Sequence, residues 1–581
     1  MERDSISLLD PAGRREEQVG LEQRSAVDLD IDSTIEALCE HPDQRQTVRR
    51  ILHALCRDAD TIRYRQEVLD DLLADDRLAA GLEELLPEIS RLQRYHLPRD
   101  KAELLYEVTW RLGELESYCD CVEKLAGVLG AHGGRINSRA LDRLHGYVQA
   151  VRQDPVFQNL RAELPELMSR VRWIASVTVG INLDRDPQPQ AATLLRINKK
   201  RFRGSSDTLL GRLFGGKKAA EWEGVAPLHS MPRAGGEDRS PHVRPLLVPL
   251  FRDLSELLNR SCRPIAAALE RYVRLNSGIL AQISADLAFY LGARRLIRRV
   301  QSWGLPVCRP EIAPAAEGVC VLKEGYNLNL ALRFAAQKTA GLEKRIVRND
   351  IEIGKAGDVF VLTGPNRGGK TTYMQAVGLA QVLAQAGLHV PARTARISPV
   401  DGIFTHFPAK EHFELDTGRL GEEAQRLREL FAAATSGSLI LLNESLSATT
   451  PGESLALARD VLRILRLLGA RAVYTTHLHE LAREIGQLNA ERPGPGRIAS
   501  LVSLVEDERG EPAADGTGAS GGTGSGTARP SVRRTFKIRP GAPAGYSYAR
   551  EIAAKHGVSY VQLKQLLRER GLISLRDRFP Y

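Results

Sequence analysis

The sequence VFVLTGPNRGGKTT occupies residues 359–372 and decides how the whole chain is interpreted. Its apolar first half, Val359 to Leu362, has the composition of a buried parallel strand. The glycine-rich second half fits Gly-x-x-x-x-Gly-Lys-Thr, the pattern of a loop that wraps a phosphate group. Glycine allows the backbone to curl until several N–H groups point into one concavity. The stretch therefore predicts a strand, a phosphate-binding loop (P-loop) and a helix in succession.

The residues after the loop support this prediction. Apolar side chains follow Thr371 at helical spacing, and the pattern stops near Gly387. An ordinary glycine turn, the alternative, does not require such a helix. In a P-loop, Lys370 reaches the β- and γ-phosphates of ATP and the Thr371 hydroxyl binds Mg²⁺. The predicted nucleotide-binding residues of the loop are Gly364, Pro365, Asn366, Arg367, Gly368, Gly369, Lys370, Thr371 and Thr372.

A second apolar strand, Leu439 to Leu442, ends in Asn443 and Glu444. ATPases of this kind normally carry Asp and then Glu at these positions, for Mg²⁺ and for the attacking water. An amide offers one neutral oxygen in place of two charged ones, so Asn443 should weaken Mg²⁺ binding. The predicted metal ligands are Thr371, Asn443 and Glu444. A polar strand end without function is the alternative for Asn443 and Glu444.

A third apolar strand, Ala472 to Tyr474, leads to His477. A histidine at such a strand end can contact the γ-phosphate and respond to its loss, although a lone histidine is more often structural. The order of the three strands favours the functional role. Glu444 and His477 are therefore the predicted catalytic residues.

Composition limits the class of protein. The chain has 581 residues, of which 43% are hydrophobic and 26% are charged, as expected of several water-soluble domains. Its net charge of +9 permits nucleic acid as a partner, but an ordinary solvated surface explains it equally well. No apolar run approaches the ~18 residues of a membrane span, and no signal peptide is recognisable. We expect no membrane partner and a cytoplasmic location, with association with the nucleoid left open.

The seven cysteines are scattered and odd in number, which fits a reducing compartment. The pair Cys119 and Cys121 has no second pair or histidine cluster at zinc-ligand spacing. We interpret it as structural.

The pattern of apolar and polar residues changes several times along the chain. Helical periodicity runs from Leu29 to about Arg172, alternation typical of strands follows at 177–183 and 193–197, and helices resume from about Pro245 to Trp303. Strand and helix then alternate from about Ile346 to Val505, as in a mostly parallel sheet. A break at Gly557 leaves open a helix-turn-helix or two packed terminal helices.

A basic loop follows the two strands of the insertion. It contains Lys199, Lys200, Arg201 and Arg203, which could contact DNA phosphates. A solvated loop is the alternative for this charge run. The insertion lies between two helical blocks, so the simplest geometry is an outgoing and a returning arm with the basic loop near the tip.

The ATPase segment resembles the MutS family of DNA mismatch-repair ATPases. The family's loop usually reads GPNMGGKST, where this chain has GPNRGGKTT. Weaker similarity covers most of residues 50–580. The other motifs of the ATPase segment that carry the resemblance are Val347-x-Asn349-Asp350, Ile403-Phe404-Thr405, Glu423, Thr449-Thr450 and Thr476-His477. The resemblance implies that Asn349 lies beside the adenine.

The resemblance implies a multidomain fold: an all-α core and lever domain with a small β-containing insertion, followed by an ABC-type α/β P-loop ATPase domain. The expected units are a disordered tail at 1–28, a helical core and lever at 29–172, a clamp-like insertion at 173–244, returning lever helices with a connector at 245–345, the ATPase at 346–505, a disordered insert at 506–530, and a closing strand with helices at 531–581.

Several departures from the family pattern bear on function. Gly418, Arg419 and Leu420 stand where the family has Ser-Thr-Phe, and Asn443 replaces its Asp. The family's Phe-x-Glu mismatch wedge does not occur in this sequence. The resemblance therefore implies a homodimeric, ATP-gated clamp on duplex, mismatched or branched DNA, with slow hydrolysis. The alternative is a nucleotide-binding scaffold that hydrolyses little and acts on a protein partner. A P-loop kinase or transporter ATPase is disfavoured, because it has no use for the long helical N-terminal half.

Overall fold

The computed structural model describes residues 6–11, 19–93, 104–172, 176–187, 189–202, 263–269, 272, 278–339, 341–354, 358–408, 419–446, 448–491, 495–506, 533–541 and 560–570. Predictions for the basic Arg203, for Gly418, for residues 507–530 of the insert expected at 506–530 and for a helix near 549–556 fall outside these ranges.

The N-terminal part is helical, as its periodicity predicts. Asp58 and Ser138 cap two of its helices, accepting hydrogen bonds from the backbone N–H groups of Thr61 and Leu141. The helices are α1 Gln23–Asp28, α2 Ile31–Leu38, α3 Arg45–His53, α4 Ala59–Ala74, α5 Asp76–Gln93, α6 Leu104–His132, α7 Arg139–Gln153, α8 Pro155–Arg172 and the returning α9 Gly278–Ser302, with short 3₁₀ turns at Pro42–Gln44 and Gly133–Arg135.

Two short strand pairs accompany these helices. Strands β1 Val19–Gly20 and β2 Ala54–Leu55 pair antiparallel. Strands β3 Ser176–Leu183 and β4 Pro189–Asn198 form an antiparallel hairpin between α8 and α9. The alternation of apolar and polar residues at 177–183 thus predicts a strand that is present.

The C-terminal half contains two sheets. The six-stranded sheet has the order β10-β11-β12-β8-β13-β14, and all of its neighbours are parallel except β13 and β14. The prediction of a mostly parallel sheet is confirmed. Its strands are β8 Val359–Thr363, β10 Ile403–His406, β11 Leu439–Asn443, β12 Arg471–Thr475, β13 Ile498–Glu506 and β14 Arg533–Pro540.

The second sheet has four strands in the order β5-β9-β6-β7. Its strands are β5 Glu311–Ile312, β6 Cys320–Gly325, β7 Asn349–Ile353 and β9 Thr394–Ile397, with a 3₁₀ turn at Ala315–Glu317. The helices of this half are α10 Leu328–Ala336, α11 Leu342–Arg345, α12 Lys370–Gln385, α13 Arg419–Ala433, α14 Pro451–Leu468, α15 His479–Arg483, α16 Ile485–Ala490 and α17 Tyr560–Glu569. The chain is thus a helix-rich molecule with mixed sheets.

The domain boundary expected at residue 346 is displaced. Strand β6 pairs with β7 and with β9, which both lie beyond that residue. The segment 311–325, expected to be a connector, is therefore part of a sheet with the ATPase segment. Arg471 joins the two sheets, because its buried guanidinium donates to the carbonyls of Val319, Ser398 and Pro399.

The expectation of a loose tail at 1–28 is wrong for the residues that the structure describes there. Leu8 is fully buried, and its N–H donates to the Asp286 carboxylate at 3.1 Å while its carbonyl accepts from the Tyr290 hydroxyl at 3.0 Å. Arg65 donates to the carbonyl of Leu9 at 2.8 Å. Long-range hydrogen bonds to the helical domain thus order a segment that lacks periodicity of its own.

A substitution at Gly292 tests how closely the returning helix α9 packs against α2. A Cβ atom at this position of α9 would lie 2.1 Å from the carbonyl oxygen of Leu38 at the end of α2. We expect Gly292→Ala to lower the free energy of unfolding by about 1–3 kcal/mol, since backbone cannot yield cheaply. Gly146→Ala, in α7 with no atom within 4 Å of its Cβ, should raise it by up to ~1 kcal/mol. Urea denaturation followed by circular dichroism measures both, and equal effects of the two substitutions would contradict the packing.

Candidate functional site

The P-loop lies between β8 and α12, and its backbone is strongly curved. Gly364, Arg367 and Gly369 have φ angles of 143°, 61° and 90°. A Cβ on Gly364 would lie 2.6 Å from the Cβ of Ser503 in β13, so a side chain there is excluded. Ser503 also donates from its hydroxyl to the carbonyl of Gly368 at 2.8 Å. The neighbouring strand β13 therefore fixes the shape of the loop, and glycine is needed where the two approach.

Lys370 begins α12 and folds back over the loop. Its Nζ donates to the carbonyls of Gly364 at 3.0 Å and Pro365 at 3.1 Å. Its side chain is only 4% exposed, and a carboxylate oxygen of Glu444 lies 3.7 Å from Nζ. Burial lowers the pKa of Lys370, and the charge of Glu444 opposes that shift. The lysine is thus a partly desolvated cation held at the mouth of the loop, where an anion would be attracted strongly.

Glu444 and His477 meet beside this lysine. Strands β11, β12 and β8 are parallel neighbours, so their carboxyl ends lie at one edge of the sheet. The N–H of Glu444 donates to the carbonyl of Thr475, at 2.9 Å. His477 Nε2 lies 2.8 Å from Glu444 Oε2. This hydrogen bond is the main reason that the pKa of Glu444 lies below its ordinary value, while burial acts in the opposite direction.

Asn443 lies beside the hydroxyl of the P-loop threonine. Its Oδ1 accepts from the Thr475 hydroxyl at 2.7 Å and from the Thr371 hydroxyl at 3.4 Å. Thr371 and Asn443 therefore present adjacent oxygens, with the carboxylate of Glu444 next along the chain. Mg²⁺ is usually held by one or two carboxylates together with the phosphates of a nucleotide, so this set fits the ion with a single carboxylate. Within the described residues there is no cluster of three His, Cys, Asp or Glu side chains that could bind a metal without a nucleotide.

A cavity of about 420 Å³ opens beside the P-loop. Arg367 to Thr372 and Glu444 line one side of it, whereas Gly364, Pro365, Asn366 and His477 do not border it. Other lining residues come from α10, α11, β7 and β14 and from the segments beside α10 and α11. The lining residues there include Tyr326, Leu330, Phe334, Arg345, Val347, Asn349 and Phe536.

Asn349 lines this cavity but uses its amide to hold the edge of β14. Its Nδ2 donates to the carbonyl of Phe536 at 3.1 Å, and its Oδ1 accepts from the N–H of Ile538 at 2.9 Å. The sequence did not indicate Phe536, Phe334 or Tyr326 as site residues. Only the pairing of β14 beside β13 brings Phe536 to the P-loop, and no local pattern signals that pairing.

The basic residues predicted to contact DNA are not part of this cavity. Lys199, Lys200 and Arg201 are exposed and directly follow the hairpin strand β4, and none of them lines the cavity. Ser176 closes the base of the hairpin, donating from its hydroxyl to the carbonyl of Lys200 at 2.6 Å. Among the described helices, none is both long and apolar enough to cross a membrane.

Comparisons with known proteins agree with this arrangement. The MutS2 N-terminal domain family matches residues 57–303, and the MutS domain V family matches residues 360–492, which contain the P-loop, Glu444 and His477. The chain belongs to the MutS family. The resemblance inferred from the motifs is therefore confirmed.

Individual MutS relatives are distant. A DNA mismatch repair protein MutS of Parasynechococcus marenigrum is 28% identical over 540 residues, covering 87% of this chain and 55% of the relative. An Endonuclease MutS2 of Thermomicrobium roseum is 33% identical over 236 residues, covering 39% of this chain and 29% of the relative. A DNA mismatch repair protein MutS of Myxococcus xanthus is 33% identical over 227 residues, covering 35% and 25%. The chain thus spans about half the length of the first of these relatives, and its alignments with the others are shorter.

The pairing of Glu444 with His477 makes a prediction about stability and pH. Because the folded-state pKa of Glu444 is lowered, its contribution is present above the ordinary value of 4.5 and is lost as the pH falls through the lowered value. We expect His477→Gln to lower the free energy of unfolding by about 0.5–1 kcal/mol between pH 5 and 7, after allowing for partial exposure. The difference in stability from the wild type should vanish in more acidic solution. Urea denaturation from pH 3 to 7 measures it.

The control is the same histidine substitution in a Glu444→Gln background. There the pH-dependent difference should be absent, since the titrating carboxyl is gone. Parallel stability curves for wild type and His477→Gln across the acid range would contradict the assignment.

Proposed function

We propose that this MutS-family chain binds ATP with Mg²⁺ at the P-loop and uses the nucleotide to gate a homodimeric clamp on duplex or branched DNA. The observation that supports ATP binding best is the meeting of Lys370, Glu444 and His477 at the carboxyl ends of adjacent parallel strands. Ligands of open α/β sheets bind at this edge. The family match to MutS domain V covers the same strands.

Each side chain has a role in this proposal. Lys370 and the curled backbone of the loop bind the phosphates, and Thr371 with Asn443 holds Mg²⁺, which would neutralise phosphate charge. Glu444 is the general base that orients water and accepts its proton. His477, hydrogen-bonded to Glu444, fixes the direction of the carboxylate and keeps it ionised. The apolar side of the cavity, with Val347 and Phe334, would take the nucleobase.

Hydrolysis should be slow, since Asn443 replaces the second carboxylate. Its amide oxygen is already shared with the Thr475 and Thr371 hydroxyls. A neutral oxygen with two donors attracts Mg²⁺ less than an ionised carboxylate does. ATP would then act chiefly by remaining bound, which suits a clamp that must stay closed.

DNA binding is proposed from charge and placement. The hairpin β3–β4 lies between the helices α8 and α9 in the chain and ends in exposed cations. Lys and Arg side chains supply the salt-dependent part of DNA affinity. The names of two relatives, DNA mismatch repair protein MutS and Endonuclease MutS2, support a role on DNA. Dimerisation is proposed because ABC-type sites combine the P-loop of one copy with a loop of the other.

Nucleotide binding is tested by calorimetry and phosphate release. We expect Lys370→Ala to weaken ATP binding at least about 10-fold, the equivalent of one charged hydrogen bond. Asn443→Asp should lower the Mg²⁺ concentration needed for half-maximal ATP binding about 10-fold, and it should raise the rate of ATP hydrolysis. Lys124→Ala, which removes an exposed lysine paired with Glu88 on α5, is the control and should change neither.

A wild-type protein that shows no heat with ATP would overturn the nucleotide site. Turnover that is unchanged or lower in Asn443→Asp would contradict the account of the amide. ATP binding without any effect of ATP on DNA affinity would instead favour the nucleotide-binding scaffold.

DNA binding is tested by its dependence on salt. Replacing Lys199, Lys200 and Arg201 together by Ala should weaken duplex binding and reduce the slope of log K against log[salt] by about 2–3. Fluorescence anisotropy at several salt concentrations, with and without ATP, measures both quantities.

The control removes an equal charge elsewhere. Arg45, Arg49 and Lys124 are exposed and already paired with Glu36, Asp32 and Glu88. Their joint replacement by Ala should leave the slope nearly unchanged. Equal slopes for both triple variants would show that only net charge matters, and would contradict the assignment of DNA binding to the hairpin.

A further inference from the structure

The turn that carries Glu444 has an unusual backbone. Glu444 and Leu446 have φ angles of 52° and 60°, in the left-handed region that residues with a Cβ rarely adopt. Two such positions within three residues are strained, and they persist only because the surroundings enforce them. The general base thus stands on a strained turn, and its direction depends on whatever holds that turn.

Three side chains, from two strands and one helix, form hydrogen bonds with this turn. The hydroxyl of Tyr474, in β12, donates to the carbonyl of Ser445 at 3.1 Å. The ring nitrogen Nδ1 of His406, at the end of β10, lies 2.7 Å from the Ser445 hydroxyl. The N–H of Leu446 donates to the carboxylate of Glu423 at 2.8 Å. These three polar groups of the turn are therefore each matched by a buried partner.

Glu423 differs from the other two partners because it is a carboxylate and comes from outside the sheet. It lies in the first turns of α13, and only 6% of it is exposed. Burying a carboxylate is costly unless hydrogen bonds compensate, so its placement against the Leu446 N–H is a specific one. Charge makes it a stronger acceptor for that N–H than a neutral group would be.

Packing joins the same helix and turn. The side chain of Leu446 is 5% exposed and belongs to one apolar cluster with Leu427 and Leu430 of α13. The hydrogen bond and the shared apolar cluster together tie the turn to α13. Any displacement of α13 against the sheet would then change the backbone at Glu444.

We infer that Glu423 is a positioning residue that holds Leu446 in the left-handed conformation and thereby aims the Glu444 carboxylate at the reacting water. The inference rests on the proposed role of Glu444 as general base. It makes α13 the element through which events outside the sheet reach the hydrolytic step. Glu423 itself does not line the nucleotide cavity, so it acts through Glu444.

The test compares Glu423→Ala, Glu423→Gln and a matched control. Glutamine keeps an oxygen that can accept from the Leu446 N–H, whereas alanine removes it. Glu429→Ala is the control, because Glu429 lies on the same helix but is exposed and pairs with Arg24. Three quantities are measured on the full chain: hydrogen–deuterium exchange of peptides that contain the turn, the Kd for ATP by calorimetry, and single-turnover phosphate release with protein in excess.

Glu423→Ala should speed exchange in the turn about 10-fold or more and slow phosphate release about 10-fold or more, with the ATP Kd within about 2-fold of wild type. Glu423→Gln should restore both quantities to within about 3-fold, and Glu429→Ala should match wild type. Unchanged exchange in Glu423→Ala would overturn the inference. So would a parallel loss of ATP binding and hydrolysis, or an absence of rescue by glutamine.

Failure of the proposed function gives a different result. If the wild-type chain neither binds nor cleaves ATP, the nucleotide site is wrong. The exchange measurement needs no nucleotide, so in that case it alone supports or overturns the hold of Glu423 on the turn.

Discussion

The helix α12, which begins at Lys370, is buried over most of its length, and the hydrogen bonds of its polar side chains constrain the rest of the molecule. Every residue from Ala376 to Gln385 is buried. A buried amide must find partners, because an unmade hydrogen bond costs about 1–3 kcal/mol. Gln375 donates to the carbonyl of Asp28, and Gln385 donates to the carbonyls of Cys56 and Val400. The helix that follows the P-loop is thereby bonded both to the N-terminal helical domain and to the connection between β9 and β10.

The same helix leaves almost no room for independent movement of the two halves. A Cβ on Gly378 would lie 2.5 Å from the side chain of Leu29, and one on Gly387 would lie 2.3 Å from that of Arg65. One apolar core runs through the helical domain and past α12 into the inner face of the sheet. Cores packed this closely rearrange between discrete states rather than deform smoothly. A displacement of the P-loop would therefore displace α4, which carries Arg65, through direct packing alone.

The parts of the fold that the sequence predicts are those with a local signal. Residues 359–372 predict their own structure, since an apolar run and a glycine-rich loop are contiguous. Glu444 and His477 are found by the same rule, because each follows an apolar strand and parallel strands end at one edge. The burial of Leu8 and the pairing of strand β6 could not be predicted in this way. Their burial and pairing depend on Asp286 and on β9, partners that are distant in sequence and leave no periodic trace beside them.

The second feature that the sequence could not supply is the set of contacts that supports the turn at Glu444. His406, Glu423 and Tyr474 come from β10, α13 and β12, and only the assembled sheet and helix bring them to Ser445 and Leu446. Burial lowers the pKa of His406 to about 4, so its ring is neutral near pH 7 and adds no charge beside Glu444. The charges that remain next to Glu444 are then the cation of Lys370 on its open side and the carboxylate of Glu423 behind the turn. Because Asn443 contributes no charge to this group, the electrostatic balance of the site rests on Lys370 and Glu444, and the strained turn decides how closely they approach.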